Sequence, residues 1–412
     1  MAEGSVTSTR VKFGEVVRLA KETCKDPVAA GIERVIGLEH LEPGDLRVRA
    51  WADVADGTTF TTRVRPGQVL FGKRRAYQRK VAVADFDAIC SGDIYVFESA
   101  NPDRLLPDLL PFVCQTEAFF EHAVGTSAGS LSPRTNWSSL AKFEFALPSP
   151  DAQRRILDRL RQVRRHAEAL SDLRDALIQQ RDALCQWWAT AHGAQLRADG
   201  TVSGDQLPPG WTMATLQELC PERNALVIGP FGSDLVASDY QHKQGVPVVF
   251  VADVVRFRFA YSSQRFVTPK KAENLAAHNA VPGDVLITKM GWPPGEACVV
   301  PSEFERGVVT ADVVRARLNR MRIDPEYLVA VINSHWGQQQ IVRVSPGTTR
   351  PKTTLSGVGG ISIAVPPVEE QALLVNALAA LHSHIDETDK YTGQSEALLA
   401  AMASTAWGNN VH

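Results

Sequence analysis

The chain has 412 residues, of which 44% are hydrophobic and 22% charged, and its formal charge is −2. This length suits two or three domains, each able to bury its own core. The near-neutral balance excludes a generally basic nucleic-acid coat, so any such binding would come from local patches. No apolar run approaches the length of a membrane span. Met1 to Arg10 lacks the apolar core of a signal peptide. The six cysteines (24, 90, 114, 185, 220 and 298) stand far apart without a C-x-x-C pair. Structural zinc is therefore not expected, and reduced thiols in a cytoplasm are.

In chain order, Val11–Leu19 opens a first globular half, and Val35–Leu41 reads as a strand before the turn Pro43-Gly44-Asp45. Arg65–Lys73 is a proline-glycine turn feeding a buried strand that ends in a basic cluster. From Gly57 to Ala84 no acidic residue occurs, while Arg63, Arg65, Lys73, Arg74, Arg75, Arg79 and Lys80 are present with Tyr77 among them. Residues 107–124 predict a helix, and a glycine- and serine-rich loop, Gly125 to Asn136, carries Arg134. Phe143, Phe145 and Leu147 alternate as in a half-buried strand, and Pro148 with Asp151 then opens a helix.

Beyond Asp151 the apolar positions Ile156, Leu160, Val163, Ala167, Leu170, Leu173, Leu177, Leu184 and Trp188 form one helical stripe. The span to His192 is roughly 40 residues, on the order of 60 Å at 1.5 Å per residue. A helix of that length fits a coiled-coil spacer.

The second half repeats the first. Phe143, Leu147, Pro148 and Gln153 meet Ile361, Val365, Pro366 and Gln371 at a constant offset of 218. Val248–Val254 answers Val35–Leu41, and Val281–Lys289 answers Arg65–Lys73 at offset 216. Ile323–Ser334 predicts a helix matching residues 106–116, and the loop Ser345–Gly357 matches Gly125–Asn136. Leu374, Leu378, Leu381 and Ile385 repeat the first helix's stripe 218 residues on. A repeat this long marks a duplicated domain and not a solenoid.

This arrangement resembles the specificity subunit of Type I restriction-modification systems. The residues that carry the resemblance are Leu207-Pro-Pro-Gly-Trp211, Ile228-Gly-Pro-Phe-Gly-Ser233, Pro282-Gly-Asp-Val-Leu-Ile287, Gly347-Thr-Thr-Arg350 and Val365-Pro-Pro-Val-Glu-Glu-Gln371. The second half fits better than the first, which has no Pro-x-Gly-Trp opening. The resemblance implies an α/β (α+β) fold: two duplicated target recognition domains joined by two long antiparallel coiled-coil helices with pseudo-two-fold symmetry. The corresponding segments are 1–147 and 207–365 for the domains, 148–193 and 366–408 for the helices, and 194–206 for a linker. Each domain is expected to read one half of a bipartite site in double-stranded DNA, and the helices to set the gap between halves. Expected partners are two methyltransferase subunits, which carry S-adenosylmethionine, and motor-nuclease subunits. The chain itself is expected to hold no cofactor or metal and to do no chemistry.

Within that reading, the acid-poor windows supply the DNA-contact candidates, because lysine and arginine bind phosphates and arginine also reads guanine. The candidates are Arg63, Lys73, Arg74, Arg75, Tyr77, Arg79, Lys80 and Arg134 in the first half. In the second they are Lys289, Trp292, Arg343, Thr348, Thr349, Arg350 and Lys352. For each basic residue the alternative is a solvated surface charge. Arg154, Arg155, Arg159, Arg161, Arg164 and Arg165 read as a solvated helix face, with a landing site for an acidic partner patch or for DNA crossing the helices as the alternative, and His382 and His384 read as surface or interface residues.

Two rival functions compete with that reading. A methyltransferase needs an Asn or Asp before its Pro-Pro-aromatic motif, which Trp292-Pro-Pro-Gly295 lacks, and no G-x-G-x-x-G is present. Gly125-Thr-Ser-Ala-Gly129 matches G-x-S-x-G in letters but not in its strand-then-helix context. A pure protein scaffold would use the helical stripes but leave the two basic heads without a purpose.

Overall fold

A computed structural model describes residues 8–194, 207–347 and 351–407. It divides into two compact units. One holds the described residues through Asp172 together with those from Thr388 onward, and the other is Leu173–Glu387.

In the first unit, strand Ser8–Lys12 pairs antiparallel with Glu144–Pro148, placing Val11 opposite Phe145. A four-stranded antiparallel sheet follows in the order Val17–Leu19, Ile94–Ser99, Val69–Gly72, Val81–Val83. A second sheet runs Ala52–Asp53, Arg34–Ile36, Ala88–Cys90, Thr62–Val64, with its two central strands parallel. Phe13, Phe71, Phe97 and Phe119 interlock beneath the first sheet, for example with ring centroids 4.9 Å apart for Phe13 and Phe119. Burying each such ring contributes about 1.5–3 kcal/mol.

The second unit has the same plan in different residues. Its antiparallel sheet runs Leu226–Ile228, Val313–Ala316, Val285–Thr288, Ala297–Val299, and its second sheet again has a parallel central pair, Val246–Val249 with Gly307–Val309. Thr212–Thr215 pairs with Ser362–Val365 as Ser8–Lys12 does with Glu144–Pro148.

Three sequence expectations are corrected. The helix expected over 107–124 breaks into Leu110–Cys114 and Glu117–Gly125, because Thr116 leaves helical geometry to cap the second piece through Phe119 N–H. The strand expected over Val35–Leu41 stops at Ile36 and turns over Leu38–His40, where His40 Nδ1 accepts from Gly37 N–H at 2.9 Å. The strand expected over Val248–Val254 likewise yields at Val251–Asp253, because the buried Asp253 carboxylate gathers the N–H groups of Phe250, Ser262 and Ser263.

The two long helices are Pro150–Ala189 and Val368–Trp407, each 40 residues long and displaced by 218 at both ends. Leu157 and Leu160 share the first unit's core with Ala403 and Trp407. In the second unit Cys185 and Trp188 share a core with Leu374 and Leu378. In each unit the start of one helix thus lies with the end of the other, so the two run antiparallel.

A buried glutamine fixes where each helix leaves its domain. Gln153 Oε1 accepts from Leu106 N–H at 3.0 Å, and its Nε2 donates to Arg104 O at 2.7 Å and Pro148 O at 2.9 Å. Gln371 Oε1 accepts from Asp324 N–H at 2.7 Å, and its Nε2 donates to Arg322 O and Pro366 O, both at 2.9 Å. Every partner is displaced by 218. Among the described residues no helix is long and apolar enough to cross a membrane, and no group of three or more His, Cys, Asp or Glu could hold a metal ion. All six cysteines are free.

Candidate nucleic-acid interface

Lys73, Arg74, Arg75 and Arg134 of the first unit meet at the tip of one β-hairpin. Strands Val69–Gly72 and Val81–Val83 are joined by residues 73–80, and the loop after helix Glu117–Gly125 lies against that connection. Three backbone bonds hold this corner together. Lys73 N–H donates to Asp93 O at 3.0 Å, Thr135 N–H to Lys73 O at 3.0 Å, and Arg75 N–H to Pro133 O at 2.7 Å. Arg74 and Arg134 also form a β-bridge.

Side chains lock the same corner. The Asp93 carboxylate accepts from Arg74 Nη1 at 3.1 Å and from Arg134 Nε at 3.0 Å. Ser132 Oγ accepts from Arg74 Nη2 at 3.0 Å and lies 3.5 Å from Arg75 Nη2. Lys73 Nζ sits 4.5 Å from the Tyr95 ring centroid. Four cations, Lys73, Arg74, Arg75 and Arg134, therefore share one corner in which Asp93 binds two of them, with Tyr77 55% exposed on the same connection.

The remaining candidates of this half are engaged elsewhere. Arg63 pairs with Asp87 at 3.0 Å and with Glu22 at 3.5 Å. Arg79 is gripped by both carboxylate oxygens of Glu117 and stands 5.3 Å from the Phe120 centroid. Lys80 Nζ donates to Leu38 O at 2.9 Å. Those bonds turn three cations of the acid-free window toward structural partners.

The second unit builds the same corner. Residues 289–296 join Val285–Thr288 to Ala297–Val299. Lys289 N–H donates to Asp312 O at 2.8 Å, and Thr353 N–H to Lys289 O at 2.9 Å. Met290 bridges Lys352, and Lys352 Nζ pairs with Asp312 Oδ1 at 2.5 Å. Asp312 and Lys352 thus stand where Asp93 and Arg134 stand in the first unit.

Lys289 is only 6% exposed and its Nζ donates inward to Ala311 O at 3.2 Å. Burial pushes its ammonium below the ordinary lysine value, Lys352 adds repulsion, and Asp312 opposes both. The side chain braces the corner instead of facing outward. Trp292 is 76% exposed on the hairpin connection, and Arg343 closes helix His335–Arg343 at the surface. Thr348, Thr349 and Arg350 lie outside the described residues.

Backbone geometry separates the two tips. Gly291 (φ 155°) and Gly295 (φ 96°) carry positive φ in the second unit. The residues 216 earlier are Arg75 (φ 53°) and Arg79 (φ 56°), which adopt the left-handed region without the freedom of glycine.

Sequence reasoning missed Asp93, Asp312 and Ser132. Both acids stand apart in sequence from the basic clusters they serve, and they differ by 219 and not 216. That near-match was the available signal. The other sequence features are structural. Ser127 Oγ donates to Ala123 O at 2.8 Å as a helix-end bond. Arg164 pairs with Glu168 at 2.8 Å on the helix face. His382 is half-buried with its ring 5.2 Å from that of Phe257, not a plain surface residue.

Two duplicated α/β heads, each continued into a 40-residue helix, define the fold of the specificity subunit of Type I restriction-modification systems. Solved structures share this fold across nearly the whole chain. One described as showing complex assembly and conformational transition of the type I R-M system has a TM-score of 0.57 at 18% identity, covering 98% of this chain and 99% of that one. The S subunit of a Type I restriction-modification system from M. genitalium has a TM-score of 0.55 at 14% identity, covering 99% and 98%. In sequence, the Type I restriction enzyme EcoDI specificity subunit of Escherichia coli is 24% identical over 198 residues. That match spans 45% of this chain and 43% of the relative's length. No protein-family model matches.

Proposed function

We propose that the chain is the sequence-specific DNA-binding specificity subunit of a Type I restriction-modification system. One observation carries the reading: the same cation-lined corner, an acid-tethered loop on a hairpin tip, is built twice on this fold at offsets of 216 to 219. A binder of one continuous site needs one such surface, whereas a bipartite duplex site needs two. Lys73, Arg74, Arg75, Tyr77 and Arg134 serve one half-site, and Trp292, Arg343 and Lys352 the other. Phosphate contacts set position and base-edge contacts set sequence. Residues 1–147 and 207–365 are the two recognition domains, 148–193 and 366–408 the spacer helices whose length sets the gap, and 194–206 the linker.

The chain supplies recognition alone. Catalysis belongs to two methyltransferase subunits, which bring S-adenosylmethionine, and to motor-nuclease subunits in the full complex. Such a complex works on DNA in the cytoplasm. The test is to co-express the chain with its cognate methyltransferase and map methylated bases in host DNA. Methylation at one bipartite sequence is expected; a stable complex that methylates no bipartite sequence would sink the reading.

A further inference from the structure

Among the arginines of the first unit's corner, Arg75 is the exception. Arg74 and Arg134 are tied to Asp93, Lys73 lies over Tyr95, Arg79 is held by Glu117, and Lys80 donates to Leu38 O. Arg75 has no carboxylate partner among the described residues. Its guanidinium has one hydrogen-bond partner among the described residues, Ser132 Oγ at 3.5 Å, and its Nε, like that of Arg74, is buried without one. Buried polar atoms are nearly always paired, so an unpaired one at a surface corner calls for an explanation.

The backbone sharpens the point. Arg75 sits at φ 53°, and the equivalent position in the second unit is Gly291. Glycine takes positive φ without a Cβ penalty, whereas arginine does not. Arg79 shares this strain, but its bonds to Glu117 and its place over Phe120 account for it. Among the described residues no carboxylate or aromatic ring does the same for the Arg75 side chain, while its backbone is held by Pro133 O and Gln78 N–H. Strained backbone positions cluster at active sites and ligand clamps, and this one carries a guanidinium with no carboxylate partner among the described residues.

We infer that Arg75 is the specificity-determining residue of the first unit, reading a guanine edge in one half of the DNA site. The inference rests on the DNA-recognition reading above and names the residue and base within it. A guanidinium matches guanine O6 and N7 with two parallel donors, a fit that lysine's single ammonium does not reproduce. The rigid frame around Arg75, with its own N–H bonded to Pro133 O at 2.7 Å, fixes where that fork begins.

The test uses the full chain in complex with its methyltransferase. The wild-type complex is mapped first; absence of a bipartite methylation pattern there defeats the functional reading itself. Given a pattern, Arg75→Gly and Arg75→Lys are mapped in the same way and assayed on duplexes in which one G·C pair at a time is replaced. Arg75→Gly is expected to relax one G·C position in one half-site by about tenfold or more, leave the other half unchanged, and leave the melting temperature equal or raised. Arg75→Lys should keep most affinity while losing much of that discrimination. The inference is overturned if both variants keep wild-type discrimination at every G·C position. It is equally overturned if Arg75→Gly lowers the melting temperature and weakens cognate and altered duplexes alike, which is how a structural residue behaves.

Discussion

Gln153 and Gln371, 218 residues apart, each close the same three hydrogen bonds in their own unit: one backbone N–H received and two carbonyls served. Both side chains are fully buried. Each ties the proline corner of its strand exit to the segment ahead of the domain's next helix, so the long helix leaves its sheet at a fixed angle. Gln153→Ala or Gln371→Ala leaves three backbone groups without their partner, of which the proline carbonyl is the one on a buried residue. At about 1–3 kcal/mol for each unsatisfied group, partly relieved by water, a loss of about 2–4 kcal/mol is expected. Denaturant unfolding measures it, and a change under about 0.5 kcal/mol, the size of an ordinary surface substitution, would contradict the clamp.

Asp93 neutralises two arginines at the hairpin tip, and both pairs are partly exposed. Pairs of this kind contribute about 0–1 kcal/mol, so Asp93→Asn should fold normally. The substitution removes a negative charge from the corner and frees Arg74 and Arg134. Binding to an arbitrary duplex should strengthen, and the plot of log K against log salt should steepen by about 0.9 for each additional phosphate that an arginine neutralises. An unchanged slope would mean that these arginines do not meet phosphate.

Acidification should weaken the second unit through two histidines. Burial holds the His192 and His382 pKa values below the ordinary range. Glu370 opposes the shift at His192; at His382, Arg181 reinforces it and Asp386 opposes it. The unfolded chain takes up protons at about pH 6.5, whereas the folded chain resists until lower pH. Stability is therefore complete above the ordinary histidine value and is lost as the pH falls through the folded values. Melting temperatures across the range from about pH 5 to about pH 8 are the measure, and His382→Gln should flatten the acid side of the curve.

Thiol reactivity should single out one residue. Burial pushes Cys90, Cys185 and Cys220 up to about 12 and drives Cys114 and Cys298 well above the ordinary thiol value, while Cys24 is half-exposed. Because the thiolate is the reactive form, Ellman's reagent should titrate about one thiol quickly in the native chain and all six after denaturation. A Cys24→Ser variant should lose the fast phase.

The sequence by itself determined the duplication, the long helices and the corners from which they spring. Those features depend on local periodicity and on short motifs that recur at offset 218. It also placed Lys73, Arg74, Arg75 and Arg134 within two loops. The tertiary structure decided which of those cations meet a carboxylate. Asp93 and Glu117 reach the hairpin tip only because strand pairing and a helix carry them there. Lys289 turns inward because Ala311 O lies across the sheet from it. Local pattern cannot show such pairings, since a charge is neutralised by whatever the fold brings within about 4 Å, however distant in sequence. The broken helix at Thr116 and the strands that end at Ile36 and Val249 have the same origin: one capping side chain outweighed an apolar run. Arg75 emerged only from combining the two, as a repeat position where the second unit has glycine and as a guanidinium that the fold leaves without a carboxylate.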